Sequence, residues 1–424
     1  MSDLLRARVE AELDRLAGDF GRIGIAFSGG GDSAALLHLA ARWRQGRVVM
    51  AATVDHGLRP DSLAEAEAAG DTARTLGLSH SILHWQRGPE DRANLMAAAR
   101  DARLRLLADW AREHALEAVL LGHTLDDQAE TFLMRLARGA GVDGLSAMAD
   151  HRESEGMVWL RPLTGCGRQE LRDWLARQGI GWVDDPSNDN TAFERVRMRK
   201  ALEMLGIAPE SFATSARNLA SARQALQEIA VRTAAGAEVA SGSLALPLQP
   251  FLAAPSEIRR RLLVAALRWM NGQEYPARRD KIAHALDAVG MGRKVTLEGS
   301  ILMPDAQWLR LIREPAAAAR APAAPLDAQG RAEWDGRWSV EVAAPDAGQE
   351  LRALGHDALN AFDWRAAGLG FDEAASLPAL WQGQRLIAAP IAQKERPSGP
   401  PNPPDVHFRP LRGPLHLRGL LFSH

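Results

Sequence analysis

Cysteine is the scarcest informative residue in this sequence, since Cys166 is the only one among 424 residues. A single thiol cannot form an intramolecular disulfide or a Cys-x-x-Cys redox pair, and it cannot hold an iron–sulfur cluster within one chain. Disulfide-built domains and enzymes that depend on cysteine pairs are therefore excluded. We predict that Cys166 is a small buried hydrophobic residue.

Long apolar runs are also missing, although 46% of the residues are hydrophobic. No uninterrupted apolar stretch approaches the roughly 20 residues that a membrane-spanning helix needs, so an integral membrane protein is excluded. The first 20 residues carry charges of both signs and lack the apolar core of a signal peptide. We expect a cytoplasmic protein with no membrane partner, built from two or three domains.

Lysine is the third rarity, because nearly all of the basic residues are arginine. No lysine follows a glycine, so the chain lacks the G-x-x-x-x-G-K-[ST] motif and a kinase-like P-loop is excluded. The formal net charge is −2, yet basic clusters occur at residues 195–200, 259–261 and 278–281. Such clusters suit either solvated helix faces or a surface that binds a phosphate backbone.

Short apolar runs alternate with helical patterns over the first two hundred residues. This alternation predicts an α/β fold with a doubly wound parallel sheet, whose ligands bind at the carboxyl ends of the strands. The predicted strands are residues 23–27, 48–54, 79–85, 118–121 and 157–160, and the predicted helices are residues 33–45, 61–76, 92–114 and 126–138.

The pattern changes from about residue 209 to long helices rich in alanine and arginine. We predict helices at residues 211–235, 255–271 and 278–289, then strands at 294–303 and 307–313. The stretch PAAAARAPAAPL reads as a linker, and the proline-rich residues 397–414 predict an extended course. The predicted domains are an α/β domain at 1–208, a mainly helical domain at 209–314, the linker at 315–326 and a small C-terminal domain at 327–424.

The stretch FSGGGDS, residues 27–33, lies where the first predicted strand gives way to a helical pattern. At such a turn the free N–H groups and the dipole of the helix start attract phosphate oxygens, and glycine lets the backbone approach the anion. We predict a phosphate-binding loop, with a tight turn that binds nothing as the alternative. The loop residues are Ser28, Gly29, Gly30, Gly31, Asp32 and Ser33.

Two kinds of nucleotide site fit this loop. Gly29, Gly31 and Ala34 match the G-x-G-x-x-A dinucleotide pattern, and Asp55 ends the second strand where a ribose-binding acid belongs. The loop also matches the S-G-G-x-D-S pattern of the PP-loop ATP pyrophosphatases. In that interpretation the loop holds a departing pyrophosphate, and Asp32 is either a magnesium ligand or a cap on the following helix.

A second polar cluster follows the strand that ends at Leu121. The sequence GHTLDDQAET, residues 122–131, places several titratable side chains at the carboxyl edge of the sheet. One helix cap, at Thr124 or Asp126, explains part of this cluster but does not require so many polar groups. The other members are His123, Asp127, Gln128 and Glu130.

Six stretches in register carry a family resemblance. They are FSGGGDS (27–33), VDHGLR (54–59), NLMAAARDAR (94–103), GHTLDDQAET with RGAGVDGL (122–145), RPL (161–163) and DDPSNDNTAFERVRMR (184–199). In these stretches the chain resembles the tRNA(Ile)-lysidine synthases, a branch of the PP-loop family with an adenine nucleotide alpha hydrolase-like fold. Three positions depart from the family pattern: Thr124 replaces the second histidine of HH-x-DDQ, Met96 replaces an acid, and Val196 replaces the asparagine of an RNR element.

The resemblance implies a carbon–nitrogen ligase that uses ATP and magnesium. Such an enzyme adenylates C2 of the wobble cytidine in the CAU anticodon of an isoleucine tRNA and releases pyrophosphate. The ε-amine of free L-lysine then displaces AMP and forms lysidine. The basic helices downstream resemble the second domain of the family, and a homodimer stays open.

The resemblance also suggests roles for individual residues. Asp55 and His56 are expected near the nucleotide. An acidic and histidine group would hold the lysine ammonium, deprotonate it or bind magnesium: His123, Asp126, Asp127 and Glu130. An arginine group would contact tRNA or phosphate: Arg161, Arg195, Arg197 and Arg199.

Three alternatives remain at this stage. A tRNA thiolase of the PP-loop family conflicts with the single cysteine where it relies on cysteine pairs or clusters. A dinucleotide enzyme would prefer NAD(P) to ATP. A tRNA-binding protein that has lost turnover draws its only support from Thr124 and Met96.

Overall fold

The computed structural model describes residues 2–58, 60–88, 95–183, 194–273, 275–361, 364–392 and 406–422. The chain forms two compact units, Met1–Arg223 and Gln224–His424. Three of the sequence features lie outside the described residues, namely Arg59 and Asn94 of the family motifs and residues 184–193. Residues 393–405, which include most of the proline-rich stretch, also lie outside them.

The first unit is built on a six-stranded sheet in the order β3-β2-β1-β4-β6-β5. All neighbouring pairs are parallel except β5 with β6, so the predicted doubly wound parallel sheet is confirmed. The edge strand β5 was not predicted, because its residues are largely exposed and polar and form no apolar run. The strands are β1 (Arg22–Ala26), β2 (Val48–Asp55), β3 (Ser79–His84), β4 (Ala118–Leu121), β5 (His151–Ser154) and β6 (Met157–Leu160).

Helices cover both faces of this sheet, as a doubly wound fold requires. The helices that begin in the first unit are α1 (Ser2–Ala17), α2 (Gly31–Trp43), α3 (Ser62–Thr75), α4 (Leu95–Glu113), α5 (Leu125–Ala137), α6 (Val142–Leu145), α7 (Arg168–Arg177), α8 (Glu194–Leu205) and α9 (Pro209–Thr233). Alternate residues of β1 serve the two faces: Ile23 and Ile25 pack in the core with α1, α2, α3 and α7, whereas Ala26 packs with α4. Cys166 is 2% exposed in the first of these cores, as predicted.

The described residues of the second unit form three antiparallel sheets. Their strand orders are β7-β8-β11-β10-β9, β12-β15-β16-β17 and β13-β14-β18. The strands are β7 (Glu238–Ala240), β8 (Ser243–Pro247), β9 (Val295–Leu297), β10 (Ser300–Pro304), β11 (Trp308–Arg313), β12 (Ala324–Pro325), β13 (Arg331–Trp334), β14 (Trp338–Val342), β15 (Gln349–Ala353), β16 (Pro378–Gln382), β17 (Arg385–Ala388) and β18 (Val406–Pro410).

Helices accompany these sheets. They are α10 (Leu248–Ala253), α11 (Ser256–Asn271), α12 (Arg279–Gly290), α13 (Pro315–Arg320), α14 (Phe371–Ala375) and α15 (Pro414–Phe422), with 3-10 helices at Asp357–Ala361 and Trp364–Ala367. The strand pair predicted after α12 is present, although a turn divides its first member into β9 and β10. None of the described helices is long and apolar enough to span a membrane.

The segment predicted as a linker is more ordered than its composition suggests. Its first six residues form α13, which begins with proline at the position where a missing N–H costs nothing. Ala318 is fully buried in a core cluster with Trp334 and Trp338, so this segment packs rather than spans open solvent. Small residues offer little area each, but alanine favours helix and fits close to a packed surface. The domain boundaries drawn from the sequence stay predictions.

Gly24 offers a test of the packing under β1. A methyl group at this position would lie 2.7 Å from Cζ3 of the buried Trp110 and 3.2 Å from Leu116. We expect Gly24→Ala to lower the free energy of unfolding by about 1–3 kcal/mol through overpacking, measured by urea denaturation. Gly165→Ala is the control, because no neighbouring heavy atom lies within 4 Å of its added methyl. Equal stability of the two variants would contradict the described packing.

Candidate active site

The loop between β1 and α2 closes on itself through its two serines. Ser33 Oγ donates to the carbonyl of Gly30 at 2.9 Å and accepts the backbone N–H of Ser28 at 3.2 Å. Gly29 has a φ of +81°, which glycine adopts without strain, and its carbonyl accepts the N–H of Val183 at 3.0 Å. The loop is therefore fixed on both sides, with the N–H groups of the helix start available to an anion.

Helix α2 begins at Gly31, two residues earlier than the sequence suggested. Gly30 is the N-cap residue, and no side chain caps this helix. Asp32 therefore does not serve as the cap that one interpretation assigned to it, because it already lies inside the first turn. Its Oδ1 atom is buried and has no hydrogen-bond partner among the described residues. The carboxylate is aimed at something other than its own helix.

Strand β4 ends directly against the loop. A methyl group on Gly122 would lie 3.2 Å from both the nitrogen and the Cα of Ser33, so a side chain here would have to displace the loop backbone by a few tenths of an ångström. The residues that follow Gly122 in the chain start from this contact. The phosphate loop and the beginning of α5 consequently belong to one edge of the sheet, as the predicted topology requires.

Thr124 caps α5 and shares its bonds with Asp127. The Thr124 N–H donates to Asp127 Oδ2 at 2.8 Å, and the Asp127 N–H donates to Thr124 Oγ1 at 3.4 Å. This reciprocal arrangement is a capping box, which satisfies two backbone donors of the helix start. The capping interpretation of Thr124 is confirmed. Thr124 is buried and its hydroxyl accepts the Asp127 N–H, so a small hydroxyl residue suits this position.

One arginine bridges the loop and α5. The guanidinium of Arg168 lies 3.1 Å from Asp32 Oδ2, 3.2 Å from Asp127 Oδ1 and 3.1 Å from Glu130 Oε1. Its backbone N–H donates to Asp126 Oδ2 at 2.7 Å. Four predicted acids thus meet at the first residue of α7. The sequence interpretation missed Arg168, which follows no recognised motif.

Two arginines from α8 complete the cluster around Glu130, whose side chain is only 1% exposed. Arg195 Nε lies 3.1 Å from Glu130 Oε2, and Arg199 Nε lies 2.9 Å from Oε1. These residues are four positions apart and share one face of the helix. Arg197 is exposed on the same helix, and the structure brings Arg195 and Arg199 to Glu130.

The acids differ in their electrostatic environment. Burial raises the pKa of Asp32, and the nearby Asp127 and Asp126 add to that effect against the opposing charge of Arg168. Burial also disfavours ionised Asp127, but Arg195 and Arg168 outweigh it and hold its pKa below the usual range. Arg168 itself has a raised pKa, because three carboxylates overcome its desolvation. The fold therefore favours the ionised form of Asp127 and disfavours the ionised form of Asp32.

His123 lies beside these acids in a neutral form. Arg161 Nε donates to His123 Nδ1 at 3.1 Å, so this nitrogen carries no proton. Burial lowers the pKa of His123, and surrounding arginines lower it further against the opposing charge of Asp127. Arg161 also donates to the Ala149 carbonyl at 2.6 Å, and burial lowers its pKa to about 10. His123 is thus oriented as an acceptor toward Arg161.

Asp55 is the last residue of β2, the neighbour of β1 in the sheet, and His56 follows it. Asp55 accepts the Gly57 N–H at 2.9 Å and faces His84 Nδ1 at 3.3 Å. Burial works against ionised Asp55, but these hydrogen bonds keep its pKa low. The His56 ring lies edge-on to Trp85, and burial lowers its pKa. Both residues stand at the carboxyl edge, where the sequence predicted them.

The carboxylates at this edge fit a magnesium ion only together with ligands from outside the protein. Within the described ranges no group of three or more His, Cys, Asp or Glu side chains is arranged to hold a metal ion. Magnesium typically takes only one or two carboxylates and completes its shell with phosphate oxygens and water. The unpartnered Oδ1 atom of Asp32 meets the requirement for one such ligand. The residues present therefore fit a metal that arrives with a nucleotide.

The site and the fold together define a class of protein. Residues 5–205 match the family model of the PP-loop domain. That match agrees with the parallel sheet, with the S-G-G-x-D-S loop after β1 and with the polar cluster at the same edge. The chain is a PP-loop protein.

Relatives with curated names align with much more of the chain. The tRNA(Ile)-lysidine synthase of Ruegeria pomeroyi is 42% identical over 92% of this chain and 91% of its own length. Those of Hyphomonas neptunium and Methylobacterium nodulans are 41% and 38% identical, over 65% and 73% of this chain and 77% and 96% of their own lengths. The chain belongs to the tRNA(Ile)-lysidine synthase family.

Neutralising Asp127 should destabilise the protein. Asp127→Asn removes a carboxylate whose ionised form the fold stabilises, so we expect the free energy of unfolding at pH 7 to fall by about 1–3 kcal/mol. This contribution is complete above the ordinary aspartate pKa of about 3.9 and disappears as the pH falls through the lower pKa of the folded state. Urea denaturation between neutral and acid pH measures it. A variant as stable as wild type at pH 7 would contradict the ion pairing.

Neutralising Asp32 should raise the free energy of unfolding at pH 7, opposite to the effect expected at Asp127. Its folded-state pKa is raised, so the ionised carboxylate costs stability at neutral pH, and this cost vanishes below the ordinary pKa of about 3.9. We expect Asp32→Asn to unfold at a higher urea concentration than wild type at pH 7, with the difference shrinking in acid. Loss of stability at pH 7 would show that Arg168 outweighs the burial of Asp32.

Proposed function

We propose that the chain ligates L-lysine to C2 of the wobble cytidine in the CAU anticodon of isoleucine tRNA, with ATP as the second substrate. In the first step the C2 carbonyl oxygen attacks the α-phosphorus of ATP, the bond to the bridging oxygen breaks, and pyrophosphate leaves. In the second step the ε-amine of lysine attacks C2, the C2–O bond breaks and AMP leaves. The amine nitrogen loses a proton, and the product is lysidine.

A single observation carries this proposal. Arg168 joins Asp32 of the phosphate loop to Asp127 and Glu130 of α5 through contacts of 3.1–3.2 Å. An enzyme that cleaves ATP between the α and β phosphates and then admits an amine needs an anion-binding loop and carboxylates in one site. The family membership supplies the reaction class, and this geometry supports it in the chain itself.

The loop residues are suited to the leaving pyrophosphate. Backbone N–H groups between Gly29 and Ser33 can donate to its oxygens, and the closed hydrogen bonds of Ser28 and Ser33 hold the loop in shape. Such donors are worth most when they are already fixed before charge develops. When bound, magnesium would supply further neutralisation of the triphosphate charge. Asp32, through its unpartnered Oδ1, is the residue that we propose would hold the ion.

The acids of α5 are suited to the amine nucleophile. A lysine ammonium must be held by negative charge and must lose a proton before it attacks. Asp127 is ionised and ordered by Thr124, which suits binding of a cation more than abstraction of a proton. Asp126 and Glu130 share this group in the proposal. Neutral His123, whose Nδ1 already accepts a hydrogen bond from Arg161, is proposed to orient the reacting groups rather than to take the proton.

The nucleic acid would meet the basic residues near this edge. Arg195, Arg199 and Arg161 are proposed to stabilise phosphate charge in the site, and exposed Arg197 to contact the tRNA backbone. Asp55 and His56 are proposed to lie near the adenosine. The helices after residue 209 are proposed as a tRNA-binding region, and a cytoplasmic location and a homodimer are likewise proposed.

The alternatives from the sequence are less well supported. A thiolase that uses a cysteine pair would need more than the buried Cys166, which contacts Arg8 rather than the phosphate loop. A dinucleotide enzyme would use Asp55 for a ribose, whereas the family relatives are named for lysidine formation.

Product analysis tests the proposed reaction. Purified protein is incubated with ATP, L-lysine and an isoleucine tRNA transcript bearing CAU, and the digested nucleosides are analysed by mass spectrometry. We expect one cytidine to gain the mass of lysine minus water, and no gain when lysine is omitted or the wobble cytidine is replaced by uridine. Wild-type protein that yields no such nucleoside would refute the proposal.

A matched pair of variants localises the activity. Asp32→Asn should reduce lysidine formation by at least about 100-fold, the order expected when a group acting on transition-state charge is removed. Asp109→Asn makes the same chemical change on α4, where the side chain is 64% exposed, and should keep the wild-type rate. Equal rates in the two variants would exclude the loop carboxylate from the reaction.

A further inference from the structure

Arg168 is held in the site by its backbone as well as by its side chain. Its N–H donates to Asp126 Oδ2 at 2.7 Å, and two residues earlier the Cys166 carbonyl accepts the N–H of Leu125 at 3.0 Å. The start of α7 is therefore joined to the start of α5 by two hydrogen bonds that do not involve the guanidinium. Substitution of the side chain leaves this backbone connection in place.

The Arg168 guanidinium contacts three carboxylates, each through a different nitrogen. Nε contacts Asp32, Nη2 contacts Asp127 and Nη1 contacts Glu130. Arginine presents its donors in a rigid planar fork, whereas lysine offers one compact ammonium on a flexible stem. The geometry therefore calls for arginine rather than for a positive charge alone.

The three acids do not depend on Arg168 equally. Glu130 also contacts Arg195 and Arg199, and Asp127 also accepts from Thr124. Among the described residues Arg168 is the only hydrogen-bond partner of the Asp32 carboxylate, whose second oxygen is the buried Oδ1. Without the Arg168 guanidinium, Glu130 of α5 would still contact Arg195 and Arg199. Asp32 would lose its one hydrogen bond to a described residue.

We propose that Arg168 is a positioning residue that links the phosphate loop to the carboxylates of α5. By holding Asp32 through Oδ2, it aims Oδ1 toward the nucleotide, and by holding Asp127 and Glu130 it fixes the acids at a set distance from the loop. This inference rests on the proposed function. The inference also adds to the proposed function, because it predicts that ATP binding depends on Arg168 more strongly than lysine binding does.

Direct binding of ATP tests the link without relying on turnover. The dissociation constant for ATP is measured by calorimetry for wild type, Arg168→Gln and Arg168→Lys. We expect Arg168→Gln to weaken binding about tenfold, the size of one lost charge-assisted hydrogen bond. Arg168→Lys should recover only part of the loss. Arg177→Gln, an exposed arginine at the other end of α7, should bind ATP as wild type does.

A double-mutant cycle separates positioning from general damage. If Arg168 acts on ATP through Asp32, then Asp32→Asn combined with Arg168→Gln should weaken ATP binding no more than the stronger single variant. Additive losses, or ATP binding by Arg168→Gln within twofold of wild type, would overturn the proposal. If Arg168→Gln does not fold, as judged by thermal denaturation, the cycle is run with Arg168→Lys and the same criteria.

Steady-state kinetics provide the second readout. We expect Arg168→Gln to raise the KM for ATP about tenfold and the KM for lysine less than threefold, because Asp127 and Glu130 keep other partners. Equal changes in both constants would overturn the positioning role. Failure of wild type and Arg177→Gln to form lysidine would instead refute the proposed function, so the two failures are distinguishable.

Discussion

The repulsion among four carboxylates at one sheet edge is the constraint on which the rest of the site depends. Asp32 comes from α2, and Asp126, Asp127 and Glu130 come from α5. Ionised acids this close to one another and away from bulk water require compensating positive charge. Arg168, Arg195 and Arg199 supply it from α7 and α8. The positions of two further helices thus follow from the chemistry of the acids.

The positive charge is shared unevenly among these carboxylates, and Asp32 receives less of it than Asp127. Asp127 is bound by a cap and by arginines, so its ionisation stabilises the fold. Among the described residues Asp32 has one hydrogen-bond partner, Arg168, and burial raises its pKa. Proteins tolerate such costs mainly where a ligand will compensate them. We therefore propose that the loop carboxylate is the part of the cluster that a bound nucleotide and its cation would satisfy.

Sequence patterns predicted the parts of the fold that local rules control. The five parallel strands followed from buried apolar runs, and the turn between β1 and α2 followed from glycines between an apolar run and a helical pattern. The role of Arg168 in the site was not predicted, because its partners lie 38–136 positions away in the chain and no local sequence pattern indicates such long-range contacts. The edge strand β5 and strand β7 of the second unit were not predicted, because short, half-exposed strands carry little periodicity.

The departure at Thr124 bears on whether the site retains chemistry. Thr124 is fully buried, caps α5 and hydrogen-bonds Asp127 through both its N–H and its hydroxyl. A histidine there would have to fit the same enclosed space, whereas threonine orders Asp127 with a small group. His123, Arg161 and the acid–arginine cluster remain in contact around it. Replacement of the histidine therefore does not dismantle the site, and it gives no reason to regard the chain as a tRNA-binding protein without turnover.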